Sequence, residues 1–334
     1  MKHFKVIVAA AAAFFAIAGS AQAQDRVTFA TNWLPQAEHG GHYQALVDGT
    51  YKKHGLDVRI VPGGPQANNR ILLAAGKVDF YMTANLIPSF TALEQKIPVM
   101  AVAAIFQKDP FILMSHPGQG LDKFENLSKA TAFIGAEARA GIFQWLRTTY
   151  GFREANIKPY TFNPTPFIAD KSSIQQGYLT SEPFAVEQVG KFKPNIFLAA
   201  DHGFDTYSTL IEARRDTVEK RPEFVQRFVD ASIIGWYNYM YGDNRAANAL
   251  IKRENPEMTD AQIAFSISKM KEYGIVDSGD ALKYGVGSMT DARVASFYDK
   301  MVKASVIKPG LDIKQAYTTR FVNKGVGLDL RPKQ

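Results

Sequence analysis

The alternation of short β-rich runs with helix-like segments is the feature that most limits how this chain can fold. Runs with strand character at 27–33, 56–62, 78–83 and 98–106 are separated by helix-like stretches, two of which end at Gly55 and Gly76. This alternation predicts a largely parallel sheet with helices on both faces. In such sheets, ligands bind beyond the carboxyl ends of the strands, where loops lead into helices.

The same pattern restarts after residue 110 and then gives way to helices. Strand-like and helix-like runs alternate from 130 to 200, whereas amphipathic helical patterns dominate after residue 208. About 310 residues exceed the size at which one hydrophobic core keeps growing. We therefore expect an α/β protein of two hinged lobes: a first lobe over 24–110, a second over 111–201, and a segment over 202–334 that returns to the first lobe and adds C-terminal helices.

The N-terminus has the pattern of a secretion signal. Lys2 and Lys5 precede an apolar stretch from about residue 6 to 18, which is followed by Ala-Gln-Ala at 21–23. The stretch is shorter than the roughly 20 residues that span a bilayer. We expect residues 1–23 to be cleaved as a signal peptide, which predicts an exported, soluble product.

Composition excludes several classes of function. The sequence contains no cysteine, so disulfides, thiol nucleophiles and thiolate zinc sites are excluded. The formal charge is +7, but Lys and Arg are mixed with acidic residues along the chain. Nucleic-acid binding requires clustered basic residues interleaved with aromatic ones, and none is present.

Two histidines raise the possibility of a metal or catalytic site. His39 and His42 are three residues apart, beside Glu38, but no further ligand follows at metal-site spacing. Hydrolase, phosphate-loop and dinucleotide motifs are also absent. The pair Gly63-Gly64 either offers backbone N–H groups to a ligand or makes a tight turn. We predict neither a metal nor a cofactor.

Aromatic and polar side chains near strand ends favour a pocket for a flat organic molecule. Stacked or edge-on aromatic contacts and a few polar groups form such sites. Acidic residues also cap helices, so Glu182 has a structural alternative, and Trp145 and Trp236 are predicted to be core. The predicted ligand-binding residues are Asn32, Trp33, His39, Tyr43, Gly64, Tyr81, Met82, Asn85, Phe106, Glu137, Arg139, Asn163 and Glu182.

Several ordered motifs resemble one family of exported binding proteins. They are NWLPQAEHGGHYQALVDGTYKKHGLDVRIVPGGPQ, LLAAGKVDFYM, AVAAIFQKDPFILMSHPGQG and QQGYLTSEPF. Together they resemble the periplasmic substrate-binding proteins of ABC importers, in the subgroup related to fungal thiamine-pyrimidine synthases. The resemblance implies a type II periplasmic-binding-protein fold, a periplasmic location, and an ABC transporter permease as partner of a monomer.

The resemblance also implies a ligand class. Relatives that bind pyrimidines hold the ring with an aromatic clamp and an acidic residue, to which Trp33, Tyr43 and Glu182 correspond by motif position. We therefore expect a non-enzymatic binder of a thiamine pyrimidine precursor, of the hydroxymethylpyrimidine or formylaminopyrimidine type. The alternatives are a binder of riboflavin or another aromatic or sulfonate ligand, and a pyrimidine-forming enzyme that uses His39. The absence of cysteine and the presence of a secretion signal argue against the pyrimidine-forming enzyme.

Overall fold

The fold is that of a computed structural model, which describes residues 24–65 and 67–333. The predicted signal peptide at 1–23 lies outside the described residues. No helix within the described ranges is long and apolar enough to cross a membrane.

The first lobe is built on a five-stranded sheet with the strand order β2-β1-β3-β10-β4. β1 pairs in parallel with both β2 and β3, whereas β10 is antiparallel to β3 and to β4. The strands are β1 (Asp25–Ala30), β2 (Leu56–Val61), β3 (Phe80–Asn85), β4 (Val99–Phe106) and β10 (Ser208–Arg214).

The second lobe has its own five-stranded sheet, with the order β7-β6-β8-β5-β9. β6 is parallel to β7 and β8, and β5 is antiparallel to β8 and β9. Its strands are β5 (Phe111–Ser115), β6 (Thr131–Ile134), β7 (Ile157–Pro159), β8 (Ser173–Tyr178) and β9 (Asn195–Leu198).

The antiparallel strands arise from the two crossings between lobes. The chain leaves the first sheet at the end of β4, enters the second at the start of β5, and returns from β9 through residues 199–207 into β10. Strands that leave and enter a sheet at the same hinge end must run in opposite directions. Both sheets are therefore mixed, where the alternation of elements predicted largely parallel ones.

Helices cover both sheets. The helix-like stretch through Tyr51 is two helices, because Gly49 adopts a left-handed φ of 77° between them. The helices are α1 (Gly40–Val47), α2 (Thr50–Lys53), α3 (Arg70–Ala74), α4 (Leu86–Glu94), α5 (Ala136–Ala140), α6 (Ile142–Tyr150), α7 (Thr165–Ala169), α8 (Glu182–Gly190), α9 (Arg215–Lys220), α10 (Pro222–Tyr241), α11 (Arg245–Glu254), α12 (Asp260–Glu272), α13 (Ala281–Tyr284) and α14 (Asp291–Lys303).

The C-terminal helices pack on the first lobe, as predicted. α10 lies directly on α1, where a Cβ atom on Gly235 would stand 2.3 Å from the Gly41 carbonyl oxygen. Such an approach is open only to glycine. Trp236 of α10 is fully buried and Trp145 is nearly so, which confirms both as core residues. This packing makes α1 a rigid support for the loop that precedes it.

Candidate functional site

A cavity lies between the two lobes, at the carboxyl ends of β1, β3 and β8. It holds about 720 Å³ of space free of protein atoms, including space open to solvent. Its lining is Asn32, Trp33, Gln36, Glu38, His39, Met82, Ala84, Asn85, Pro88, Asp109, Phe111, Glu137, Ala138, Gly141, Ile142, Gln176, Gly177, Tyr178, Glu182 and Thr209. The position agrees with the general rule for ligand sites in α/β sheets.

Seven of the thirteen residues predicted from the sequence line this cavity. They come from the loop after β1, the end of β3, the start of α5 and the start of α8. The seven are Asn32, Trp33, His39, Met82, Asn85, Glu137 and Glu182.

Three predicted aromatic residues lie elsewhere, for reasons of side-chain direction. Successive side chains on a strand point to opposite faces. Met82 therefore faces the cavity, and the adjacent Tyr81 packs in a separate apolar cluster. Phe106 packs edge-on against Trp236, with ring centroids 5.5 Å apart. Tyr43 is buried against the C-terminal helices, where its hydroxyl donates to Glu254 at 2.7 Å.

The remaining three predicted residues have local structural contacts. Arg139 is half exposed and pairs with Glu154 at 2.8 Å. The Asn163 side chain accepts from the Thr165 N–H at 2.9 Å, which shapes the turn before α7. Gly64 lies in the loop after β2 but does not line the cavity, and the N–H of its neighbour Gly63 donates to the Trp33 carbonyl at 3.1 Å. Of the two alternatives for this glycine pair, the structure therefore shows a turn and not a contact with the cavity.

The two histidines of the metal hypothesis separate. His39 lines the cavity, whereas His42 is buried in the first lobe, with Tyr51 Oη 3.3 Å from its Nδ1. Burial lowers the pKa of each to about 3, so both are neutral at physiological pH. Among the described residues, no three His, Asp or Glu side chains form a group able to hold a metal ion.

Four carboxyl groups line the cavity, and burial raises the pKa of each. The pKa of Glu38 rises to about 8, with a further contribution from the charge of Glu182. The other three rise to about 7. The lining contains no Lys or Arg from the part of the chain that the structure describes. We refer to the four as the cavity carboxyls: Glu38, Asp109, Glu137 and Glu182.

Contacts across the cavity join the two lobes. Glu137 of the second lobe accepts from Asn32 Nδ2 at 2.5 Å and from the Ala84 N–H at 3.0 Å, both in the first lobe. On another side, the Thr180 hydroxyl donates to Glu38. The lobes are therefore closed on one another around the cavity, with the carboxyl groups of Glu137 and Glu38 as the acceptors.

Trp33 extends the first lobe's wall into the second lobe. Its ring stacks on Tyr160 with centroids 6.0 Å apart and an interplanar angle of 18°, and meets Phe162 edge-on at 6.4 Å. Tyr160 in turn donates from its hydroxyl to Glu182 at 3.0 Å. Tyr160 therefore connects the two predicted parts of the site, because its ring stacks on Trp33 and its hydroxyl donates to Glu182.

Several lining residues were missed by the sequence analysis, above all Glu38, Asp109, Gln36 and Gln176. Glu38 was weighed only as a neighbour of His39, yet it is 1% exposed and faces the cavity. Asp109 lies in the first crossing segment, where its carboxyl accepts from the Phe111 N–H at 2.9 Å. Neither residue stands in a pattern that marks a site, since Glu38 lies between Ala37 and His39 and Asp109 lies between Lys108 and Pro110.

Comparisons with known proteins place the chain among binding proteins and related enzymes. A model of the NMT1/THI5 like family matches residues 36–247. The riboflavin-binding protein RibY of Chloroflexus aurantiacus is 24% identical over 311 residues, which cover 90% of this chain and 87% of that protein. A 4-amino-5-hydroxymethyl-2-methylpyrimidine phosphate synthase of Saccharomyces cerevisiae is 29% identical over 132 residues, or 39% of this chain and 38% of that protein.

Solved structures share the fold. The periplasmic aliphatic sulphonate binding protein SsuA of Escherichia coli superposes with a TM-score of 0.63 at 13% identity, covering 87% of this chain and 91% of that one. A ligand binding component of an ABC-type import system from Staphylococcus aureus has a TM-score of 0.63 at 12% identity, covering 89% and 98%. The predicted two-lobed periplasmic-binding-protein fold is therefore confirmed.

Proposed function

Because this chain belongs to the NMT1/THI5-like family, we propose that it is the substrate-binding component of an ABC importer. It captures a small nitrogen heterocycle, best matched by a thiamine pyrimidine precursor of the hydroxymethylpyrimidine or formylaminopyrimidine type. It acts as a monomer in the periplasm and presents the ligand to a permease. It needs no cofactor.

The observation that carries the proposal is the closed cavity with an aromatic wall and unpartnered acceptors. Asn32 Oδ1, Gln36 Oε1 and Glu38 Oε2 are buried in its lining and have no hydrogen-bond partner among the residues that the structure describes. A buried polar atom without a partner costs free energy, about 1 to 3 kcal/mol each. A ligand with several N–H donors removes that cost, whereas an apolar ligand does not.

An aminopyrimidine can form two hydrogen bonds with Glu38 when that carboxyl group is protonated, and one when it is ionised. Its exocyclic amino group donates to a carboxyl oxygen, and the adjacent ring nitrogen accepts from a protonated carboxyl group. With a pKa of about 8, Glu38 is largely protonated at neutral pH and can form both bonds. Trp33 supplies a flat apolar surface on which such a ring stacks.

Capture then follows from opening and closing at the two crossings, 107–110 and 199–207. Opening would break hydrogen bonds between the lobes. Asn32 and the Ala84 N–H donate to Glu137, and the Thr180 hydroxyl donates to Glu38. The Gln262 side chain donates to the Ser181 carbonyl at 3.0 Å. Closure restores these contacts around the ligand. Hinge closure is an established way for two-lobed proteins to hold a small molecule.

Riboflavin is the second candidate ligand, because the match to a riboflavin-binding protein covers 90% of this chain. The pyrimidine edge of a flavin offers one N–H between two carbonyl groups, so it requires mainly donors from the protein. The unpartnered atoms of the cavity are mostly acceptors. This chemistry favours the aminopyrimidine over the flavin.

We also propose that the protein is not an enzyme, although the yeast relatives are named as synthases. That similarity covers 39% of this chain. His39 is 2% exposed and, with its lowered pKa, is neutral at physiological pH. A binding role requires no more of His39 than a hydrogen bond from or to its ring.

Calorimetric titration of the purified protein with hydroxymethylpyrimidine, formylaminopyrimidine and riboflavin tests the proposal. Binding of one equivalent of a pyrimidine, with no chemical change of the recovered compound, is the expected result. Binding of riboflavin alone would refute the pyrimidine assignment. Turnover of the pyrimidine would instead refute the claim that this protein is not an enzyme.

A further inference from the structure

The charge of the cavity limits the ligands that it can hold. Three of the cavity carboxyls are buried, with exposed fractions of 1% for Glu38, 2% for Asp109 and 6% for Glu182, and Glu137 is partly buried. Within 24–65 and 67–333, no Lys or Arg lines the cavity. The nearby Arg70 is already paired with Glu212, to which its Nε donates at 2.9 Å and its Nη2 at 2.7 Å.

Helix N-termini are the usual alternative to a cation for holding an anion. Here acidic residues stand at two of them, and a side-chain cap occupies a third. Glu137 and Glu182 lie in the first turns of α5 and α8. At α4, the Asn85 side chain accepts from the Ile87 N–H at 3.1 Å. An anionic ligand would therefore meet buried acidic groups without a free positive site to offset them.

Four residues of the lining offer polar positions to a ligand. Asn32, Gln36, Glu38 and His39 are each more than nine-tenths buried, and each has a side-chain atom without a hydrogen-bond partner among the described residues. The Asn32 amide is oriented by its bond from Nδ2 to Glu137, which leaves Oδ1 unpartnered. Glu38 is similar, because Thr180 donates to Oε1 and Oε2 stays unpartnered.

We propose that this cavity selects its ligand by charge: it holds a neutral or protonated ring that donates hydrogen bonds to Glu38 and Asn32, and it rejects the phosphate ester or sulfonate of the same ring. The inference rests on the proposed role in ligand capture and adds Glu38 as a residue that determines specificity. It concerns the class of ligand, so it holds for a pyrimidine and for a flavin alike.

Two matched pairs of compounds separate this inference from the ligand assignment. They are hydroxymethylpyrimidine with its monophosphate, and riboflavin with flavin mononucleotide, each titrated calorimetrically into the purified protein at about pH 9, where the cavity carboxyls, with pKa values of about 7 to 8, are ionised. We expect the ester of whichever ring binds to be weaker by about 300-fold, the effect of one like-charge contact at about 5 Å and an effective dielectric of about 20. Preference for riboflavin over flavin mononucleotide, without pyrimidine binding, refutes the pyrimidine assignment and supports charge selection.

An ester that binds as tightly as its parent ring would overturn charge selection, whichever ring is the ligand. Failure of all four compounds to bind would overturn both proposals. The variant Glu38→Gln keeps the shape of the side chain and removes its charge. We expect it to reduce the ratio of the two dissociation constants within the binding pair, a change that a purely structural role would not produce. The matched control is Glu154→Gln, an exposed residue paired with Arg139, which should leave that ratio unchanged.

Discussion

The raised pKa values of the cavity carboxyls make the stability of the ligand-free protein depend on pH. In the unfolded chain these groups lose their protons above about pH 4.5, whereas in the folded protein they keep them until about pH 7 to 8. The folded state therefore binds more protons between these limits, and its stability falls as the pH rises. Neutral pH is thus within the window in which the effect acts.

The size of this change in stability is the sum of the contributions of the individual groups, taken here between about pH 8 and pH 6.5. Lowering the pH over that interval stabilises the fold by about 2 kcal/mol through Glu38. Each of the remaining three cavity carboxyls adds about 0.8 kcal/mol. The two histidines with lowered pKa, His39 and His42, oppose this by less than about 1 kcal/mol together, because their unfolded forms begin to protonate near pH 6.5. The net gain is about 3 kcal/mol, or about 5 °C in Tm at the usual unfolding entropy per residue.

Differential scanning calorimetry of ligand-free protein across this interval measures the effect. Tm should be higher at the acidic end, and Glu38→Gln should reduce the difference because it removes the group with the highest pKa. The surface variant Glu154→Gln should retain the full difference. A Tm that is flat, or higher at the alkaline end, would show that the cavity carboxyls do not hold protons in the folded state.

Three substitutions test the placement of the site. Trp33→Ala removes the aromatic wall, so it should raise the Kd for the bound heterocycle by about 30-fold, or about 2 kcal/mol, in a calorimetric titration; an unchanged Kd would mean that the ring does not contact Trp33. Arg139→Ala breaks only an exposed ion pair, so it should leave the Kd unchanged. A loss of affinity would mean that the site includes Arg139 and has been placed wrongly. Gly177→Ala places a new Cβ atom 2.7 Å from Glu182 Cβ, an overlap that costs about 1 to 3 kcal/mol. Because Glu182 must move to relieve this overlap, the Kd should rise by about tenfold. Binding at full affinity would argue against a role for the Glu182 carboxyl.

The two-lobed architecture could be predicted from the sequence because periodicity reports the type and order of elements. Strand direction could not be predicted in the same way. β10 repeats the apolar pattern of a buried strand, and that pattern is the same whichever way the strand runs. Its antiparallel pairing depends on the path of the chain through the hinge, which is a property of the whole fold.

The site was predictable where a residue follows directly from a strand end. Trp33 and Asn85 are of this kind, at or just beyond the ends of β1 and β3. Tyr81 shows why strand-end position alone is insufficient, since the choice between adjacent residues requires knowing which face of the strand meets the cavity. Glu38 could not be assigned from its neighbours, because its partner Thr180 is 142 positions away in the other lobe.

Identification of the small molecule retained by the protein tests the central claim most directly. The protein would be recovered from its own cells without denaturation, and its contents would be released with acid and identified by mass spectrometry. We predict one equivalent of an unphosphorylated nitrogen heterocycle with amino donors, and much less of it in protein carrying Trp33→Ala. A phosphorylated or sulfonated compound at one equivalent, or equal retention by the Trp33→Ala variant, would contradict the account.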